Sequence, residues 1–174
     1  NLSNCWLDCT SLTTFPAIAF TANTDFQYAW YRCTSLTSFL VTDMSSGTNF
    51  TYAWASCTSL DTFPAIPLTA GTNFSSAWRS MTSLTSFLAT GLDSGTNFSY
   101  AWFGCTSLAT FPAIPLTAGT NFTNAWYGCT GLTSFPALDL SSGTNFTQAW
   151  FGCNNVGFTS FPAGIDLSSG TNFS

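Results

Sequence analysis

Tryptophan recurs at Trp6, Trp30, Trp54, Trp78, Trp102, Trp126 and Trp150, always 24 residues apart. A fixed period of this size admits few architectures. The chain must coil, and each coil must bury its apolar face against its neighbours. We read 1–24, 25–48, 49–72, 73–96, 97–120, 121–144 and 145–171 as seven tandem repeats in a single solenoid, expected to be a segment of a longer array. The period slips only near the end. There Asn154-Asn155-Val156-Gly157-Phe158 adds two residues and Gly164 adds one.

Each repeat divides into two halves. In the first, Phe50, Ala53, Trp54 and Cys57 fall at i, i+3, i+4 and i+7, as do Phe74, Ala77, Trp78 and Met81. This spacing predicts one face of a short helix, capped by Thr48 or Asn49. In the second half Leu60 and Phe63 recur as Leu12/Phe15, Leu36/Phe39, Leu84/Phe87, Leu108/Phe111 and Leu132/Phe135. Here the sequence predicts a short parallel strand near Thr62–Ala65, ended by the proline at 16, 64, 112, 136 and 162. The expected fold class is therefore an α/β repeat solenoid of seven 24-residue turns, each with a short helix and a short parallel strand. A longer period overlies this one. Repeats two and four carry Phe39-Leu40 and Phe87-Leu88 where others carry Phe-Pro, so the array looks like a duplicated 48-residue pair.

The run Ala-Trp-x-x-Cys-Thr-Ser-Leu-Thr-Ser-Phe resembles the Ala-Phe-x-x-Cys-x-x-Leu-x-x-Ile core of the BspA-like leucine-rich repeats of microbial surface proteins. The resemblance covers every repeat. It implies a leucine-rich-repeat-like fold, an extracellular setting at a cell or virion surface, and a structural or adhesive role. The chain departs from that pattern by Trp for Phe, Phe for Ile, and proline after the strand.

Charge narrows the function. Only 5% of residues are charged, against about 25% in an ordinary soluble domain. Arg32 and Arg79 are the only basic residues, so the clustered cations that contact phosphates in nucleic-acid binding are missing. No apolar run approaches the roughly 20 residues of a membrane-spanning helix. Asn1-Leu2-Ser3 shows no targeting pattern, and the chain reads as a mature or truncated piece. A net charge of −5 is too small to solubilise 18.6 kDa by repulsion alone. Hydroxyls, amides or attached sugars must contribute.

Chemistry is sparse. Cys9, Cys33, Cys57, Cys105, Cys129 and Cys153 hold one position per repeat, with Met81 in the seventh, which fits a small buried hydrophobe. Histidine is absent, so no zinc-type site and no cofactor is expected. A Cys5–Cys9 bridge would join i and i+4 on a helix, which is poor disulfide geometry. The seven aspartates are scattered, and no pair suggests general acid–base work. We therefore expect a non-enzyme. Tyr28, Tyr52 and Tyr100 face outward without forming a full stripe.

Two rows remain as candidate sites. Asn-x-Ser/Thr occurs at Asn1, Asn49, Asn73, Asn97, Asn121, Asn145 and Asn172, with Asp25 breaking the series. These are N-glycosylation acceptors or, equally, helix caps copied with the repeat. Thr14, Ser38, Thr62, Ser86, Thr110, Ser134 and Ser160 form a hydroxyl row that could serve as a binding face. The function read from the sequence is an extracellular structural or adhesive repeat protein, a glycosylated fibre segment assembled head-to-tail with itself. The alternatives are a receptor-binding fibre of a virus or cell, or an ice-binding protein using the hydroxyl row. Leu2, Trp6, Leu12 and Phe15 are expected to lie open at one end, and Trp150, Phe161 and Ile165 near the other.

Overall fold

The computed structural model describes residues 1–174. It contains no helix. Its named strands are four two-residue pieces: β1 (Thr14–Phe15), β2 (Ser38–Phe39), β3 (Thr62–Phe63) and β4 (Ser86–Phe87). β1 pairs with β2 and β3 with β4, both in parallel and in 24-residue register. The expected α/β leucine-rich-repeat-like solenoid with a helix in each turn is thus incorrect. The fold is a stack of coils made of turns and isolated parallel bridges.

The segment expected to be helical shows why. In 26–33 the backbone groups alternate in their partners. The N–H groups of Phe26, Tyr28, Trp30 and Arg32 donate to carbonyls of the next coil, at Asn49, Thr51, Ala53 and Ala55, over 2.8–2.9 Å. Those of Ala29, Tyr31 and Cys33 donate three residues back, to Phe26, Tyr28 and Trp30. Tyr28 and Arg32 take φ of 54° and 61°, the left-handed value that a type II turn needs at its third residue. The segment is therefore a chain of β-turns that also forms a ladder with its neighbour. A turn chain and a helix share the i, i+3, i+4 apolar spacing, so that pattern cannot separate them.

Size decides between the two. Successive tryptophans stack with ring centroids 5.0–5.8 Å apart, so the coils sit at strand spacing. A helix is about 10 Å across and cannot repeat at about 4.8 Å. Turn residues can, and alternate N–H groups then gain a partner in the next coil. The Ser, Thr, Tyr and Asn content of these segments also disfavours an isolated two-turn helix.

The core is a set of aromatic columns. Trp30, Trp54, Trp78, Trp102 and Trp126 are fully buried. Phe26, Phe50, Phe74, Phe98, Phe122, Phe146 and Phe173 stack at 5.3–5.5 Å with planes within 10°. The second Phe column, from Phe15 to Phe135, meets the tryptophans edge to face. Leucine and cysteine columns close the remaining sides. Phe15, expected at the open end, is buried; Leu2, Trp6 and Leu12 are half-buried. At the other end Trp150 and Ile165 are half-buried, and Phe161 is exposed. In the irregular last coil the Asn155 carboxamide accepts the Gly157 N–H, leaving Val156 in solvent.

Candidate binding surface

One ladder runs unbroken along the whole stack. Asp25, Asn49, Asn73, Asn97, Asn121, Asn145 and Asn172 bridge in succession, each to the next. Thr48 donates its N–H to the Thr24 carbonyl, and the same bond links each later threonine of the column. These threonines, at 24, 48, 72, 96, 120, 144 and 171, are all exposed. From Thr48 on, each Oγ1 also donates to the carbonyl of the preceding threonine at 3.1–3.3 Å. The hydroxyls are therefore held in fixed directions along one edge. This column was legible in the sequence as an invariant Thr before the Asn, but no motif singled it out.

The sequon residues have a structural task. Each Asn Oδ1 from Asn1 to Asn172 accepts the N–H two residues on, an Asx-turn. The hydroxyls of Thr51, Thr123, Thr147 and Ser174 donate to the same oxygen at 2.7–2.9 Å. Ser75 and Ser99 instead pair with each other at 3.0 Å. Asp25 has no sequon, yet its carboxylate makes the same turn with Gln27 and also accepts the Asn49 amide. Turn chemistry thus uses both ends of Asn-x-Ser/Thr.

The hydroxyl row read from the sequence lies on the opposite ladder, and that ladder is interrupted. Thr14 pairs with Ser38, Thr62 with Ser86, and Thr110 with Ser134. No backbone hydrogen bond joins 37–44 to 61–68, or 85–92 to 109–116. Ser160 has no bridge. Proline stands at both breaks but is not enough to cause one, since Pro136 holds the same place at the bridged Thr110–Ser134 boundary. In paired coils the Leu40 and Leu88 N–H groups donate to the Phe15 and Phe63 carbonyls, both at 3.0 Å. At the next boundaries the equivalent residues are Pro64 and Pro112, which have no N–H to give Phe39 and Phe87. The Phe column records the same alternation, with spacings of 5.5, 6.2, 5.4, 6.3 and 5.5 Å. The 48-residue superperiod of the sequence thus shows as alternating close and wide boundaries over the first six coils, while the sixth and seventh are bridged at Asp139 and Asp166. At the second break Thr85, Ser86, Phe87, Leu88, Thr110 and Pro112 line a cavity of about 170 Å³.

Both cations are engaged. Arg32 meets Asp8 at 3.2 Å in an exposed pair, and such pairs contribute little. Arg79 lies 4.7 Å from the Phe103 ring and 5.6 Å from Tyr100. Beside them Phe103, Tyr127 and Phe151 continue an outer aromatic column.

All seven cysteines are free thiols. Those of Cys33, Cys57, Cys105, Cys129 and Cys153 donate to the carbonyl of the tryptophan one coil back, at 3.1–3.2 Å. Burial pushes the Cys105 thiol up from 9.0 to about 12, and Cys33 and Cys153 to about 11. Cys57 and Cys129 are raised for the same reason. The unfolded chain ionises these thiols above its ordinary pKa while the folded chain does not. Stability should therefore be fully present below that value and fall as pH rises past it. We expect a lower Tm at about pH 10 than at about pH 8, with exposed Cys5 the first thiol alkylated under native conditions. Equal melting at both pH values would contradict this.

The chain was compared with protein-family models, curated proteins and solved structures; none matches.

Proposed function

We propose that this chain is an extracellular structural or adhesive repeat segment that works through its surface. The observation that supports this reading is the division between inside and outside. A continuous aromatic core fixes the coils, while the outer edges carry long, regular rows of uncharged hydroxyl and amide groups. Such a scaffold presents one chemical pattern repeatedly, which suits an extended partner more than a single small molecule. The reading includes head-to-tail association of the chain with itself.

N-glycans belong to the same reading, with a limit set by spacing. Neighbouring sequon asparagines are bridge partners about 4.8 Å apart, too close for sugars on every coil. Among Asn49, Asn73, Asn97, Asn121 and Asn145 we expect occupancy on alternate members at most. Material secreted by a glycosylating host should show this in its intact mass. Its retention on intact cells or extracellular matrix should exceed that of a scrambled-surface control. A bare polypeptide mass would remove the glycan part of the reading. Absence of retention on any surface would remove the adhesive part.

A further inference from the structure

Five tyrosines lie on the outer surface, and all are half-buried. Three of them form one cluster across the second and third coils. Tyr28 and Tyr52 stack with ring centroids 4.9 Å apart and planes at 10°. Tyr31 meets both edge to face, at 5.5 and 5.9 Å. The ladder fixes this pairing. Tyr28 donates its N–H to the Thr51 carbonyl and Tyr52 to that of Ser75, so the two residues occupy equivalent points one coil apart. Like atoms of the two side chains are then about one strand spacing apart, including the ring carbons beside each hydroxyl. The backbone does not favour tyrosine here. Tyr28 and Tyr52 take φ of 54° and 55°, a left-handed conformation that suits glycine or asparagine, and Asn4 and Asn124 hold the same column. No ring contact joins the other two tyrosines to a third. Tyr100 has Ser76 and Asn124 beside it in its column and lies against Arg79 and Phe103. Tyr127 stacks between Phe103 and Phe151.

We propose that Tyr28 and Tyr52 are an oxidative cross-linking site, joined as dityrosine by a peroxidase that uses hydrogen peroxide. Each phenol loses one electron and its proton, giving two phenoxyl radicals one coil apart. The radicals couple through the ring carbons beside the oxygens and form one C–C bond. The hydrogens on those carbons move as protons to the oxygens and restore both phenols. In all, two electrons and two protons pass to the peroxide, which leaves as two waters. The tryptophans beneath are shielded from an oxidant at the surface, since Trp30 and Trp54 are fully buried. The bond staples the second coil to the third. At that boundary the opposite ladder has no backbone hydrogen bond between 37–44 and 61–68. The staple therefore reinforces the coil boundary that the backbone holds on one side only, and it needs no adhesive partner.

The test treats the 174-residue chain, its exposed Cys5 alkylated, with a haem peroxidase and hydrogen peroxide at low protein concentration. The readouts are dityrosine fluorescence, intact mass and a tryptic map of the unfolded product. Arg32 and Arg79 are the only cleavage points, so trypsin yields 1–32, 33–79 and 80–174. The expected product is a monomer lighter by two hydrogens, in which 1–32 and 33–79 are joined and 80–174 is free. Its Tm should exceed that of the untreated chain, because a cross-link restricts the unfolded state. Phenylalanine keeps the stacked ring and removes only the hydroxyl. Tyr28→Phe or Tyr52→Phe should abolish the joined peptide, while Tyr31→Phe, Tyr100→Phe and Tyr127→Phe should leave it. Absence of dityrosine, a bond within 1–32 or one to 80–174 would overturn the proposal. So would covalent dimers in place of the monomeric product, or a joined peptide that survives Tyr28→Phe.

Discussion

Replacing Trp102 by alanine should lower the stability of the chain by about 3–5 kcal/mol, the loss typical of a fully buried aromatic. Trp102 sits between Trp78 and Trp126 at 5.3 and 5.4 Å, and meets Phe111 edge to face at 4.8 Å. The coils above and below are fixed by backbone ladders, so the space cannot close by collapse of one side. Total stabilities of single domains are about 5–15 kcal/mol, so the change removes a large fraction. Two controls separate this account from a general loss of apolar surface. Trp150 has a tryptophan on one side only and is half-buried, so Trp150→Ala should cost clearly less. The Trp102 Nε1 is buried without a hydrogen-bond partner, as it is in each of the tryptophans from Trp30 to Trp150. An unpaired buried donor carries a penalty of about 1–3 kcal/mol, so Trp102→Phe should be far milder than Trp102→Ala. Urea denaturation of the three variants decides the matter. Equal losses for Trp102→Ala and Trp150→Ala would show that the column does not act through its neighbours.

Much of this core was legible in the sequence, because a 24-residue register specifies which side chains stack whatever the backbone does between them. Trp102, Phe98 and Leu108 had to meet their counterparts in the next repeat. The backbone of the tryptophan segment was not legible from apolar spacing, since a helix and a series of β-turns share it. A separate signal was present. The position after Phe103, Tyr127 and Phe151 is glycine, at Gly104, Gly128 and Gly152, with φ of 68–75°. Its counterparts Asp8, Arg32, Ser56 and Ser80 take the same left-handed value. Three glycines in one column, each just before a Cys that the helical reading still counts as helical, point to a turn there. The second ladder was half legible. Proline at 64 and 112 announced an ended strand, but not that close and wide boundaries would alternate. The Leu40 and Leu88 N–H groups add a bond at two of the close boundaries, while the third closes with Pro136 in that place. The sequons show the opposite problem. Asn-x-Ser/Thr has both a covalent and a structural meaning, and only the folded chain reveals that the Thr51, Thr123, Thr147 and Ser174 hydroxyls turn back onto the Asn oxygen.

The second large effect is expected at a residue with no side chain. Gly95 lies under the ring of Phe98, and a Cβ built on it would stand 2.3 Å from the Phe98 Cζ and 3.0 Å from Phe74 Cδ2. Its φ is not in the left-handed region, so space, not backbone freedom, selects glycine here. The same contact of 2.2–2.3 Å recurs at Gly47, Gly71, Gly119, Gly143 and Gly170. Each of these glycines also closes a turn, as Gly95 does by donating its N–H to the Leu92 carbonyl at 3.0 Å. The first coil supplies the comparison. There Asn23 holds the position, and the Phe20 carbonyl receives no N–H from it, so a side chain at this place accompanies an open turn. Asn23 belongs to the outermost coil, with a neighbour on one side only. Coil four is held on both sides, and Phe98 is stacked between Phe74 and Phe122 at 5.3 and 5.5 Å. Its ring cannot tilt without disturbing two others. Gly95→Ala should therefore destabilise by about 1–3 kcal/mol, as overpacked cores do, more than the 0.4–1 kcal/mol that alanine contributes by stiffening the unfolded chain. Gly95→Asn should cost more still. Chemical denaturation of both, with Ala22→Ser as an exposed control beside Asn23, tests the claim. A Gly95→Ala variant as stable as the parent would mean that Phe98 moves aside freely, and that the Phe column does not set the spacing of the coils.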